Sequence, residues 1–196
     1  GEASLSVYAV GLNFRDVLNV LGEYPGDPGP PGSDCSGTVA AVGANVTHLP
    51  LHCRTLGFAN TPLASTSKAL SLLLSRPPPL LSFEQLCTLP TVWCTMQTAF
   101  GTIQPYAGVW LLVHAGMGGI GLVTIESAQW QRTTISATAS RPHKHRLLRR
   151  LLCTGDVCSS RDAAAFGQGQ LRTLQRGRLH GVINSLSLDV SLLPSP

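Results

Sequence analysis

Three glycines, Gly116, Gly118 and Gly121, stand in a GxGxxG array that directly follows the apolar run 109–113 and directly precedes a helix-like segment, 120–130. Strand, glycine loop and helix in that order form the context in which such an array can hold the pyrophosphate of a dinucleotide. The first glycine would allow a tight turn, the second a close approach of phosphate to backbone, and the third close packing of helix against strand. Gly119 and Ile120 lie between them, where the unpaired N–H groups and partial positive charge of a helix start suit an anion. A glycine-rich turn without a ligand is the plainer alternative, and the strand and helix on either side weigh against it.

The next strand-like run bears on which nicotinamide cofactor would fit. An acid about 20 residues past the glycines holds the ribose 2′-hydroxyl of NAD, whereas a 2′-phosphate wants cations and no acid. Residues 133–146 contain no Asp or Glu, but they do contain Arg141, His143, Lys144, His145 and Arg146. The pattern predicts NADPH, with Ser140, Arg141 and Lys144 as contacts, because an arginine can chelate the phosphate and a lysine adds a point charge. The competing reading is a solvated basic helix face opposite Leu147, Leu148, Leu151 and Leu152, which accounts for Arg149 and Arg150.

Two grammars position these residues. Up to about residue 101 the chain reads as a compact, mostly β unit: a strand over 5–10, a helix over 13–21, a Pro/Gly-rich turn over 24–32, and a strand over 35–42. The Ser/Thr/Pro-rich stretch 54–79 resists assignment beyond a strand somewhere in 64–74. Ser82, with Gln85 three residues on, signals a helix start, and 91–100 suits a second helix. From residue 109 the pattern becomes strand, helix (120–130), strand (133–138), helix (144–152), then short strands at Val157 and over 181–186. That alternation is the signature of a doubly wound parallel sheet. The expected division is a β-rich domain over 1–104 and an α/β domain over 105–196, with no internal repeat.

Bulk composition excludes several classes. At 43% hydrophobic and 12% charged, the 196-residue chain can bury a core and is not disordered through charge. Its +4 charge is concentrated over 141–150, without the broad basic face and aromatic platforms of a nucleic-acid binder. No apolar run approaches the ~20 residues of a membrane span. The six cysteines form no CxxC pair, so reduced thiols and an intracellular, cytoplasmic location are expected, with an organelle left open. The chain opens at Gly1 without a leader and reads as a piece of something longer.

Taken jointly and in order, the segments GLNFRDVLNVLGEYPG (11–26), GSDCSGTVAAVG (32–43), LSFEQLCTLPTVWCTMQTAFG (81–101), VHAGMGGIG (113–121) and INSLS (183–187) resemble the enoyl reductase domain of type I polyketide synthases and animal-type fatty-acid synthases. This is a zinc-independent branch of the medium-chain dehydrogenases/reductases. The resemblance implies a GroES-like substrate domain followed by a Rossmann domain. It also implies hydride transfer from NADPH to the β-carbon of an enoyl thioester, carried on an acyl carrier domain, with a proton then delivered to the α-carbon. Asn13 and Thr95 would lie near the nicotinamide, Asn184 would touch the cofactor from a later strand, and Tyr24 would be the proton donor, since a phenol is neutral at pH 7. The alternative for Tyr24 is a ring wedged in the turn beside Pro25. Other synthase domains are the implied partners, and a homodimer is compatible. Zinc-dependent relatives place a metal-binding histidine where this chain has Gly32, Ser33, Asp34 and Cys35, so no metal is expected, and Cys35 reads as a small apolar residue.

The chain departs from the family in three ways. Family members continue beyond the INSLS segment, whereas here the sequence runs through 188–193 to Pro196; they also begin earlier. Cys53 stands where an Asp usually precedes Arg54, and Gln131 and Arg132 replace a glycine-containing turn. Two alternatives therefore stay open beside the enoyl reductase: a truncated, inactive scaffold or cofactor-binding remnant of a synthase, and a free-standing NADPH quinone or enone reductase.

Overall fold

The computed structural model describes residues 1–185 apart from 28, 61, 153 and 154. The chain divides into two compact units, Gly1–Val92 and Trp93–Pro196. This division falls inside a helix, α3 (Pro90–Ile103), while the change of sequence grammar comes just after it, at 104–105.

The first unit is a five-stranded antiparallel sheet in the order β4-β1-β2-β3-β5, formed by β1 (Glu2–Gly11), β2 (Asp34–Val42), β3 (Arg54–Phe58), β4 (Thr66–Leu70) and β5 (Leu74–Ser75). Alternation in β1 sends Ala3 and Leu5 inward, where they join Cys35, Val39 and Leu49 in the core. Between β1 and β2 lies α1 (Phe14–Leu21), which ends where Gly22 turns left-handed at φ 70°. The described residues of 24–32 form neither helix nor strand. The expected helix start at Ser82 is α2 (Phe83–Leu86): the Gln85 N–H donates to Ser82 Oγ and the Ser82 N–H to Gln85 Oε1. Tyr8 stacks on Phe83 at 4.7 Å, and the Arg54 guanidinium lies 4.7 Å from the other aromatic's centroid, donating also to the Pro79 and Leu81 carbonyls.

In the second unit β6 (Trp110–Val113), β7 (Thr134–Ala139), β8 (Val157–Ser159) and β9 (Leu179–Ile183) are all parallel, in the order β8-β7-β6-β9. Three helices alternate with them: α4 (Gly119–Trp130), α5 (Pro142–Leu151) and α6 (Ala163–Arg176). β6 is apolar because both faces are covered, and β7 is built of small and β-branched residues that are also buried; Leu111, Val113 and Ala137 are fully buried. The strand expected over 181–186 is β9, which starts two residues earlier; Leu186 and the stretch 188–193 lie outside the described residues. Helix α6 was not anticipated, because Gly167 and Gly169 interrupt its pattern. Gly169 rests against the Cys158 side chain, where a Cβ would collide. Gly177 lies against the Trp110 ring, where a Cβ would collide, and Trp93 faces Trp130 at 6.5 Å.

Candidate functional site

Counting the sheet from β6, the order is 3-2-1-4, so the direction of winding reverses between β6 and β9. In open parallel sheets ligands bind outside the carboxyl ends of the strands at that reversal. The glycine loop lies there: β6 ends at Val113, and His114, Ala115, Gly116, Met117 and Gly118 lead into α4. Gly116 and Met117 form the centre of the turn that the Gly118 N–H closes on the Ala115 carbonyl, while the left-handed backbone, φ 51°, falls on Ala115. Gly116 also serves packing, since a Cβ there would come within 3.0 Å of the Ala137 methyl and 3.3 Å of Leu148. Gly121 lies so close to the loop that its Cβ would be 2.6 Å from the Ala115 carbonyl and from Gly116 Cα.

Hydrogen bonds within the loop leave a defined set of amides over. The Ala115 N–H goes to Thr138 Oγ1 (3.3 Å), the Gly116 N–H to the Thr138 carbonyl (2.9 Å), and the Gly118 N–H to the Ala115 carbonyl (2.8 Å). The first helical bond of α4 is Leu122 N–H to the Gly118 carbonyl at 3.0 Å. Gly119, Ile120 and Gly121 therefore carry the orphan donors of the helix start. Gly118, the N-cap, would hold a Cβ 3.3 Å from the Ala115 carbonyl with no other neighbour, so the space before it is open. A pyrophosphate fits the charge and donor set of this cradle.

The cationic segment sits at the start of α5. Ser140 is half-buried just past β7, Arg141 is the exposed N-cap, and Lys144 is half-buried in the first turn. The Arg141 carbonyl accepts from the N–H groups of Lys144 (3.0 Å) and His145 (3.2 Å), and the His145 ring is tied by Nε2 to the Ala139 carbonyl (2.7 Å). The first turn of α5 has no acidic residue. Two cations at the positive end of a helix are unfavourably placed until an anion joins them. Arg149 and Arg150, in contrast, occupy the last turn, where the helix favours cations.

Within the first unit Asn13 caps α1 and belongs to a buried polar network. Its N–H donates to Asp16 Oδ2 (2.7 Å), and its side-chain amide donates to Thr91 Oγ1 (3.3 Å). Asp16 also takes the Gly32 N–H (2.7 Å), which pins the Pro/Gly-rich turn. Thr91 in turn gives its hydroxyl to Asp34 Oδ1 (2.6 Å) and its N–H to Asp34 Oδ2 (3.0 Å). Both carboxylates are buried. Tyr24 is half-buried in that turn, with the Arg15 guanidinium 5.8 Å from its ring centroid. Cys35 is fully buried in the apolar core, and its burial, with the Asp34 carboxylate and Cys87 adjacent, pushes the thiol up to about 12. Among the described residues, no group of three or more His, Cys, Asp or Glu side chains is placed to hold a metal ion.

Thr95 lies exposed on α3, in a shallow depression shared with Cys94, Thr98, Ala99 and Thr102. Asn184 follows β9, and the neighbouring Ile183 carbonyl accepts the His114 N–H at 2.9 Å, bringing this segment beside the loop. Asp16, Asp34, His114 and Thr138 were not singled out by sequence reasoning. An acid within a helical pattern, Asp16, and one opening a strand of small residues, Asp34, were the available signals for the first two. The others become visible only when β6 and β7 are paired.

An antiparallel β unit followed by a parallel sheet with a glycine loop at its reversal point defines an oxidoreductase of the medium-chain dehydrogenase/reductase type. Residues 1–56 match the alcohol dehydrogenase GroES-like domain family. A highly reducing polyketide synthase of Didymella fabae is 33% identical over 188 residues, which is 95% of this chain and 10% of the synthase. The CurK enoyl reductase has the same fold with a TM-score of 0.84 and 30% identity, over 94% of this chain and 59% of that one. A mycobacterial protein solved in complex with NADPH gives a TM-score of 0.78 and 28% identity, over 90% of this chain and 56% of that one. The chain thus belongs to the medium-chain reductases that include the enoyl reductase domains of polyketide synthases. It spans a tenth of the length of the synthase it matches and somewhat over half that of the two solved structures. No helix among the described residues is long and apolar enough to cross a membrane.

Proposed function

We propose that this chain binds NADPH and forms part of an enoyl reductase, one that saturates the α,β double bond of an enoyl thioester carried on a synthase's acyl carrier domain. The observation that carries the reading is the pairing of a loop of unused amides at 119–121 with an acid-free, cationic helix start at 140–144. The first suits a pyrophosphate and the second a 2′-phosphate. NADPH, when bound, supplies the hydride. Ser140, Arg141 and Lys144 select the phosphorylated coenzyme, while Gly118, Gly119, Ile120 and Gly121 hold the pyrophosphate. Asn184 and Thr95 contribute from the end of β9 and from α3.

In this reading Tyr24 donates the proton through its phenolic O–H, and the Arg15 cation, 5.8 Å from the ring centroid, would favour the negative charge left behind. Asn13 is held ready by its bonds to Thr91 and Asp16. Fluorescence titration with NADPH and NADH tests the first half, and Arg141→Glu with Lys144→Glu should remove the preference for NADPH. Adding a crotonyl thioester or a quinone and following the absorbance of the reduced cofactor tests the second. Oxidation with the thioester supports the enoyl reductase, and oxidation only with the quinone replaces it by a quinone reductase. Binding without turnover leaves a cofactor-binding remnant.

A further inference from the structure

Thr138, near the end of β7, is fully buried, and its hydroxyl and its carbonyl both meet the glycine loop. Its hydroxyl accepts the Ala115 N–H at 3.3 Å and lies 3.2 Å from His114 Nδ1, while its carbonyl accepts the Gly116 N–H at 2.9 Å. One residue of the neighbouring strand thus holds two consecutive loop amides and the ring that precedes them. Ala115 needs such a hold, because φ 51° is a conformation that residues bearing a Cβ rarely adopt. We infer that Thr138 is a positioning residue for the dinucleotide cradle: its hydroxyl, handing its proton to a neutral His114, locks Ala115 left-handed and so aims the amides at the start of α4.

The direction of the proton follows from counting partners. Oγ1 takes the Ala115 N–H on one lone pair, so the hydroxyl proton needs an acceptor, and Nδ1 is the one within reach among the described residues. Donation to Nδ1 fixes the ring with its own proton on Nε2. The imidazole is wedged against Phe166 of α6, with ring centroids 5.8 Å apart, and its backbone is held by the Ile183 carbonyl and the Ser185 hydroxyl. None of these neighbours is charged. Arg161 and Asp162, at the start of α6, are exposed, and Asp162 Oδ1 is occupied by the Ala165 N–H. Burial lowers the His114 pKa, which keeps the ring neutral at pH 7. Once the ring is protonated, Nδ1 becomes a donor, two donors converge on Oγ1, and the hydroxyl proton loses its acceptor. The brace opens in acid.

The link to dinucleotide affinity rests on the proposed function, whereas the brace itself does not, so they are measured separately. Amide hydrogen exchange at Ala115 and Gly116 would be followed in the full chain for the native sequence, Thr138→Val and Thr138→Ser. Val keeps the shape without the hydroxyl; Ser keeps the hydroxyl. Ala115 should exchange about fivefold faster in the Val variant, while Ser retains protection and Gly116, held by a backbone carbonyl, stays protected in all three. In the native chain, Ala115 protection should fall as pH drops through the titration of His114, and the Val variant should lose that dependence. NADPH affinity should follow the same order, about fivefold weaker for Val. Equal Ala115 exchange in native and Val chains, or Ser behaving like Val, overturns the brace. Expected exchange with no NADPH binding by the native chain leaves the brace standing and sinks the function. Equal NADPH affinity in native and Val chains removes the positioning role.

Discussion

Replacing Gly121 with alanine is the sharpest test of the loop geometry. The new Cβ would stand 2.6 Å from the Ala115 carbonyl oxygen and from Gly116 Cα, and 2.7 Å from the Gly116 carbonyl carbon. Ordinary contact begins at 3.4 Å, so the first turn of α4 must retreat by about 0.8 Å. The opposing atoms are all backbone, so no rotamer can absorb the clash. Overpacking of this kind costs about 1–3 kcal/mol. A retreat of that size stretches a ligand bond from ~2.9 Å to ~3.7 Å, beyond useful length, so NADPH affinity should fall by about tenfold or more. Two comparisons separate this from a general loss of stability. Gly118→Ala meets one atom, at 3.3 Å, so it should melt like the native chain yet bind NADPH poorly. Gly101→Ala, in α3 with nothing within 4 Å, should gain about 0.5–1 kcal/mol and bind normally. Thermal unfolding read beside a fluorescence titration decides the matter. A Gly121→Ala chain that binds as tightly as the native one would refute the reasoning.

Arg132 stands left-handed at φ 56° just after α4, where a side chain strains the backbone, so Arg132→Gly should raise stability by about 1 kcal/mol in a denaturant titration. Asp34→Asn replaces a carboxylate that accepts both the hydroxyl and the N–H of Thr91; a loss of about 1.5–3 kcal/mol is expected from equilibrium unfolding. The Cys35 thiol ionises near its usual 9 when unfolded but only near 12 when folded, so between those values the unfolded chain releases a proton that the folded one retains. Stability should therefore be full below about pH 9 and decline towards about 12, and Cys35→Ala should flatten that decline in unfolding curves taken across the range.

The sequence exposed those features in which one local rule dominates. Period-two alternation in β1, the Ser82/Gln85 cap of α2, the apolar run of β6 and the β-branched run of β7 each express a single requirement, and the structure has these elements there. β3 and α6 stayed hidden because glycines serve neighbours distant in sequence: Gly57 yields to the Leu73 backbone and Gly169 to Cys158. Counting glycines located the turn of the cofactor loop but not its strain. The strain falls on Ala115, which Thr138 can hold only once β7 lies beside β6. The departure at Gln131 and Arg132 was legible as a missing glycine, and its physical content is the left-handed Arg132.

All three tryptophans, Trp93, Trp110 and Trp130, belong to the second unit, while Tyr8 and Tyr24 lie in the first. Indole emission, excited at the red edge of its band, would then report the melting of the parallel sheet alone, and the Tyr8–Phe83 stack would give the other half its own near-ultraviolet dichroism. The polypeptide carries an intrinsic optical label for each unit, and their separate or simultaneous loss on heating would reveal whether the two halves unfold as one.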